Sequence, residues 1–146
     1  MAKDYVKTKV SILNGIPKTP SRLVLAYRLT QKASRLGFDW PDLSGVLKKM
    51  DEELSEFREA LSLRDRHRIK EELGDLLFVL VNVGRFLGID SEEALKGTLQ
   101  KFNARFHYIE ASLRRAGKSV RQSNLIEMDR LWEEAKKRKK KKRGNP

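Results

Sequence analysis

The sequence predicts an all-α protein, a bundle of about five helices with a four-helix core. Apolar residues recur every three or four positions through most of the chain. Prolines, serines and glycines separate these segments, and no segment shows the alternation typical of a strand. The connections are short, which favours antiparallel neighbours. At 146 residues the chain is long enough for one domain with a hydrophobic core.

Capping and helix-ending residues set the expected boundaries of the first three helices. Thr19 followed by Pro20 predicts the start of the first helix, because proline suits the first helical position. Gly37 is expected to end this helix. Pro41 predicts the start of the second helix, and the third helix is expected to end at Gly88.

The last two helices are each predicted to begin at a serine. Ser91 can cap the fourth helix, and the acidic residues that follow it suit the positive end of a helix. Gly117 is expected to end this helix, and Ser123 to cap the fifth.

Two acidic pairs lie in the predicted hairpin of the second and third helices. Glu53 and Glu56 are three residues apart, as are Glu72 and Asp75, so each pair lies on one helix face. The polar segment 62–66 between the helices is only long enough for a turn. Folding at its centre places residues equidistant from the turn side by side. All four carboxylates are therefore predicted to converge.

Converging carboxylates repel one another unless a cation lies between them. A ligand set made only of oxygen favours a hard divalent ion, Mg²⁺ or Mn²⁺, over zinc. The competing interpretation is a solvated acidic face with Lys and Arg nearby, which is the usual environment of glutamates on a helix.

A cationic pair on the fourth helix suggests which kind of substrate such a metal would bind. Lys101 and Arg105 are four residues apart and share a face. Because Mg²⁺ takes phosphate oxygens as ligands and phosphates bind Lys and Arg, the combination points to a polyphosphate substrate. The alternative is that both are ordinary surface cations.

Three further positions have both a binding and a structural interpretation. Asn82, two helical turns after Asp75, could hydrogen-bond a sugar or base, or satisfy a buried backbone group. Trp132 and Lys136 could stack on a base and contact a phosphate, although a tryptophan in an apolar stripe is more often part of the core. Trp40, in the connection after the first helix, has the same ambiguity.

Charge and composition suggest the domain organisation. The net charge is +12, and every residue of 136–143 is Lys or Arg, so most of the basicity belongs to the C-terminal end. We therefore expect an N-terminal extension (1–18), one helical domain (19–135) and a basic tail (136–146). Such a tail could contact nucleic acid nonspecifically, or could be a solvated helix end.

Composition also excludes several classes of protein. The chain has no cysteine, which excludes disulfides and thiolate metal sites. No apolar run approaches the ~20 residues needed to span a bilayer, so no membrane association is expected. The first residues lack the apolar region of a secretory signal, which predicts a cytoplasmic protein.

Several short motifs together resemble the MazG family of nucleoside triphosphate pyrophosphohydrolases. Their order and spacing match the C-terminal catalytic domain of that family from about Pro20 to Lys136. Each motif is weak alone, but their combination is specific. The segments that carry the resemblance are 37–42 (GFDWPD), 51–56 (DEELSE), 71–78 (EELGDLLF), 81–82 (VN) and 101–106 (KFNARF).

The resemblance implies an all-α enzyme that hydrolyses a nucleoside triphosphate to the monophosphate and diphosphate with Mg²⁺. The implied metal ligands and catalytic residues are Glu53, Glu56, Glu72 and Asp75. The implied substrate-binding residues are Arg68, Glu71, Asn82, Lys101, Arg105, Trp132 and Lys136. Arg68 stands where the family has lysine. A homodimer or higher homo-oligomer, with the bundle shared between subunits, is also implied.

Three other functions compete with this one. A related all-α pyrophosphatase would act on dUTP, dCTP or phosphoribosyl-ATP. A helical nucleic-acid-binding protein would act through residues 136–143 and hydrolyse no nucleotide. A structural oligomerisation bundle would bind neither metal nor nucleotide.

Overall fold

The computed structural model describes residues 11–144, and the side chains of all of these except residues 140–143. It contains five α-helices, confirming the all-α prediction, and no strand within residues 11–144. None of the described helices is both long and apolar enough to cross a bilayer. The helices are α1 (Arg22–Arg35), α2 (Leu43–Leu63), α3 (Arg66–Phe86), α4 (Ser91–Arg115) and α5 (Leu125–Arg143), with short 3₁₀ turns at Ile12–Gly15 and Val120–Gln122.

The chain forms two compact units, the first ending at Ala94 and the second beginning at Leu95. In the first unit, α3 packs against both α1 and α2. Its fully buried apolar residues come from α2 and α3. They are Val46, Ala60, Val79 and Val81.

The predicted hairpin of α2 and α3 turns at the expected position. Arg64 has a left-handed backbone (φ 53°), and Asp65 caps α3 by accepting hydrogen bonds from the backbone N–H groups of His67 and Arg68 (3.1 and 3.2 Å). The two-residue connection brings the C-terminal half of α2 alongside the N-terminal half of α3. It thereby sets which acidic residues face each other.

Several predicted helix starts are wrong by one or two residues. Thr19 with Pro20, Pro41 and Ser123 do not cap α1, α2 and α5. In each case the side-chain oxygen of a later residue accepts a free backbone N–H of the first helical turn. The residues that cap these helices are Ser21, Asp42 and Asn124. Likewise Ser91 is the first residue of α4, and the Asp90 carboxylate accepts the N–H of Glu92 (2.8 Å).

Glycines end three helices, as predicted. Gly37, Gly88 and Gly117 have φ values of 91°, 67° and 73°, a conformation that costs glycine little. Gly84 is needed for a different reason, because a Cβ there would lie 2.8 Å from the Ser91 hydroxyl oxygen and 2.9 Å from the Ile89 carbonyl oxygen. It permits the close approach of the chain that follows α3.

The second unit has a smaller core between α4 and α5. Ile109, Leu113 and Leu131 are buried, and Phe106 and Trp132 pack against them. Helix α5 continues through the basic residues 136–143.

A stripe of leucines along α3 is only partly buried. Leu73, Leu77, Leu80 and Leu87 are 49%, 50%, 50% and 52% exposed. Their spacing places them on one helix face. Among the residues that the structure describes, the apolar period of α3 therefore marks a half-exposed face.

Candidate metal and phosphate sites

Three of the four predicted acidic residues converge across the α2–α3 hairpin. Glu53, Glu56 and Glu72 each contribute one carboxylate oxygen, and these oxygens lie within 4.8 Å of one another. The helical spacing of three aligns the first two, and the tight turn brings the third beside them. We call these three residues the carboxylate cluster.

Asp75, the fourth predicted ligand, is exposed and is not one of this group. Its side chain is one methylene shorter than that of glutamate, so its carboxylate stays closer to its own helix. Asp75 is still near enough for its charge to contribute to raising the pKa of Glu72.

Burial and neighbouring negative charge both act on the cluster. Glu53 is only 6% exposed, an unusual position for a carboxylate. Partial burial, followed by the charges of Glu56, Glu53 and Asp75, raises the pKa of Glu72 above its ordinary value. A divalent cation would relieve this repulsion, and an all-oxygen donor set suits Mg²⁺ or Mn²⁺.

Lys49, which the sequence analysis missed, partly neutralises the cluster. Its Nζ lies 2.6 Å from a carboxylate oxygen of Glu53 and 3.6 Å from one of Glu52. The hydrogen bond to Glu53 is the main reason that the pKa of Lys49 is raised. The four-residue spacing of Lys49 and Glu53 is the sequence feature that predicts this ion pair, because residues four apart share a helix face.

The two predicted polar residues near the start of α3 bind neighbours outside the cluster. The Arg68 guanidinium lies 3.3 Å from a carboxylate oxygen of Glu59, across the hairpin. The Glu71 carboxylate lies 3.5 Å from the His67 ring nitrogen. Arg68 does influence the cluster, because its positive charge opposes the rise in the Glu72 pKa.

Asn82 lies at the centre of a buried polar network. It is fully buried; its side-chain N–H donates to the Phe78 carbonyl (3.1 Å), and its oxygen accepts from Arg85 (3.0 Å). Arg85 in turn donates two hydrogen bonds of 2.7 Å to the Asp39 carboxylate. This bidentate pair lowers the pKa of Asp39 to about 2.

The network borders a cavity of about 520 Å³ in the first unit. Trp40 lines this cavity together with other aromatic and aliphatic side chains, and Asp39, Asn82 and Arg85 are its polar or charged members besides Thr30. Arg85 was not predicted, because its partner Asp39 is 46 positions away and no local pattern connects the two. Trp40 and Asn82 thus line one cavity.

The remaining predicted residues lie in the second unit. Lys101 and Arg105 line a groove of about 490 Å³ between α4 and α5. The Arg105 guanidinium also lies over the Trp132 ring, 5.2 Å from its centroid, and Trp132 packs against the core of this unit. Lys136 forms an ion pair with Glu133 (2.9 Å).

Comparison with known proteins finds a family match over the residues that carry the carboxylate cluster and the cationic pair. Residues 43–109 match the family model described as the MazG nucleotide pyrophosphohydrolase domain. This segment of the chain is similar to a MazG domain. The matched residues cover α2, α3 and most of α4. They include the carboxylate cluster, Lys101 and Arg105.

Two curated relatives are named as nucleoside triphosphate pyrophosphohydrolases, and a third is an uncharacterized protein. The nucleoside triphosphate pyrophosphohydrolase/pyrophosphatase MazG of Thermotoga maritima is 38% identical over 135 residues, which is 92% of this chain and 52% of the relative. The nucleoside triphosphate pyrophosphohydrolase of Escherichia coli K12 is 33% identical over 132 residues, 89% of this chain and 50% of the relative. The uncharacterized protein YabN of Bacillus subtilis is 50% identical over 70 residues, 48% of this chain and 14% of YabN. The chain spans about half the length of the first two relatives.

Proposed function

We propose that this protein is a Mg²⁺-dependent nucleoside triphosphate pyrophosphohydrolase, which converts an NTP or dNTP and water to the monophosphate and diphosphate. The observation that carries the proposal is the convergence of Glu53, Glu56 and Glu72 within the segment that matches the MazG family model. Carboxylate oxygens suit Mg²⁺, which also takes the phosphate oxygens of a substrate as ligands.

In this proposal the cluster, with Asp75 beside it, holds the divalent cation. When bound, such a cation supplies Lewis-acid chemistry and neutralises phosphate charge. Glu53 or Glu56, whichever is not fully used as a ligand, accepts the proton of the attacking water. The partial burial of the cluster supports this role, because burial strengthens electrostatic interactions.

The cationic residues bind the phosphates of the substrate. Lys101 and Arg105 neutralise the charge of the departing diphosphate, and Lys136 contributes a further positive charge. Trp132 contributes to nucleotide binding through its ring. Arg105 can bind phosphate while stacked, since a guanidinium over an aromatic ring keeps its outer N–H groups free.

Four predicted residues of the first unit are assigned supporting roles. Arg68 is near enough to Glu72 to influence it electrostatically, and Glu71 lies beside Glu72 on α3. Asn82 positions Arg85 and, through it, Asp39 next to Trp40. Trp40 is proposed as a contact for the base, supported by the cavity that it lines.

We also propose that the protein is a homodimer or higher homo-oligomer in which subunits share the helical bundle. The half-exposed leucines of α3 support this, because contiguous apolar faces are usually covered by a partner. Leu80→Glu should shift the protein towards monomer in analytical ultracentrifugation. Ile126→Glu, at an exposed position of α5, is the control. Unchanged mass for both variants would contradict the proposed interface.

Product analysis tests the reaction. The protein is incubated with Mg²⁺ and each common NTP and dNTP, together with phosphoribosyl-ATP, and products are separated by ion-exchange chromatography. Monophosphate and diphosphate in equal amounts, lost on chelation with EDTA, are expected. Relative rates then rank NTPs against dUTP, dCTP and phosphoribosyl-ATP. Release of inorganic phosphate alone, or no turnover of any nucleotide, would overturn the proposal.

A further inference from the structure

We propose that the groove between α4 and α5 is a four-cation polyphosphate site, in which Arg138 and Lys139 extend the phosphate contacts of Lys101 and Arg105. The identity of the physiological ligand, the triphosphate of a nucleotide, rests on the proposed function. The existence of an anion site in this groove does not depend on the proposed function. Arg138 and Lys139 belong to the basic run, which thereby gains a specific role.

The geometry of the two helices forms the site. Lys101, Arg105 and Tyr108 follow one another at helical spacing on α4, and Arg138 and Lys139 line the groove from α5. The other lining residues are alanines, which leave the floor open. The groove, about 490 Å³ in volume, is lined by no carboxylate.

The acidic side chains nearby on α5 are engaged elsewhere. Glu133 pairs with Lys136 (2.9 Å), and Glu134 pairs with Arg130 (2.7 Å) and accepts the Tyr108 hydroxyl (3.2 Å). Among the side chains that the structure describes, no carboxylate forms an ion pair with the four groove cations, although the charge of Arg105 contributes to lowering the pKa of Glu133. Their charges are therefore available to an anion.

Arg138 stacks on an aromatic ring of the groove. Its guanidinium lies over the Tyr108 ring, 5.2 Å from the centroid, and the Tyr108 hydroxyl is anchored by Glu134. On the same groove Arg105 lies 5.2 Å over Trp132. Stacking leaves the outer N–H groups of both guanidiniums free, and planar N–H groups of this kind suit bidentate binding of phosphate oxygens.

Four cations match a chain of several phosphates better than a single one. A monophosphate can satisfy only part of this charge, whereas a triphosphate or diphosphate can contact both helices. The groove should therefore favour the substrate and the diphosphate product over the monophosphate product. Arg138 and Lys139 would supply the contacts farthest along α5.

Isothermal titration calorimetry with inorganic tripolyphosphate, without Mg²⁺, tests the site directly. The groove variant is Arg138→Gln with Lys139→Gln. The matched control, Arg121→Gln with Lys137→Gln, removes two charges from exposed residues that do not line the groove. We expect at least about tenfold weaker binding for the groove variant and less than about threefold for the control. Equal loss in both variants would mean only general electrostatic attraction and would overturn the proposal.

Hydrolysis assays on the same variants separate this proposal from the proposed function. For NTP hydrolysis, a higher KM in the groove variant than in the control is expected. If the wild type hydrolyses no nucleotide but tripolyphosphate binding still depends on the groove, the site stands and the reaction is wrong. If hydrolysis occurs and the groove variant matches the control in KM and in binding, the site is wrong. If the groove variant binds tripolyphosphate normally but loses binding to a single-stranded oligonucleotide, the polyphosphate site is also wrong. The groove would then be a nucleic-acid-binding surface.

Discussion

Lys49 and the buried Glu53 form an ion pair one turn apart on α2, with 2.6 Å between Nζ and the carboxylate oxygen. Glu53 is at the same time one of three carboxylates that meet across the hairpin. The lysine charge and a divalent cation can therefore both stabilise the same carboxylate. Variants of Lys49 are therefore expected to change mainly the stability of the protein, and variants of Glu53 mainly its activity.

Glu53→Gln should reduce turnover at least about a hundredfold while the fold survives, because it removes a charged oxygen from the cluster at constant size. The rate of diphosphate release measures the effect, and circular dichroism checks the fold. Glu52→Gln is the matched control, since Glu52 is the adjacent residue of α2 and is exposed. Retention of full activity by Glu53→Gln would show that the cluster is not the reaction centre.

Lys49→Met should destabilise the metal-free protein by about 1 kcal/mol, as it leaves the carboxylate of Glu53 without its partner. The cost stays below that of a fully buried pair because the Lys49 side chain is 37% exposed. Urea unfolding gives the free energy. Mg²⁺ should then raise the melting temperature more in this variant than in the wild type. An equal Mg²⁺ response in both proteins would argue against a shared site.

The pKa of Glu72 should lie above its ordinary 4.5 in the metal-free protein and fall when Mg²⁺ is added. Since the folded-state pKa is raised, this group costs stability as pH rises from 4.5 through the folded value. Carbon-13 NMR of the glutamate carboxyl groups against pH measures the shift. Glu56→Gln should lower the pKa of Glu72, and Glu52→Gln should leave it nearly unchanged. A Glu72 pKa insensitive to both Mg²⁺ and Glu56 would contradict the convergence.

Asp39→Asn should destabilise the protein by at least about 1 kcal/mol at pH 7, because Arg85 is then left partly buried without its carboxylate. The pKa of Asp39 is lowered from 3.8 to about 2, so its stabilising contribution is present above pH 3.8 and is lost as pH falls towards 2. Unfolding in urea at several pH values checks this. Asp51→Asn, on the exposed surface of α2, is the control. A difference between variant and wild type that does not shrink in acid would show that the ion pair is not its source.

The amino-acid sequence alone determined what depends on neighbours along the chain. It gave the five helices, the turn at Arg64 and the pairing of Glu53, Glu56 and Glu72, because helical spacing and a two-residue connection fix which side chains face each other. The starts of α1, α2 and α5 were misplaced because several neighbouring polar residues compete to cap a helix.

Only the tertiary structure decided the contacts between distant segments. Arg85 meets Asp39 through the packing of α3 against the segment that follows α1, and no periodicity connects positions 46 apart. Likewise Tyr108 and Arg138 meet only because α4 and α5 pack together. The physical reason is range: hydrogen bonding along a helix is local, whereas the partner of a buried charge depends on how whole helices pack.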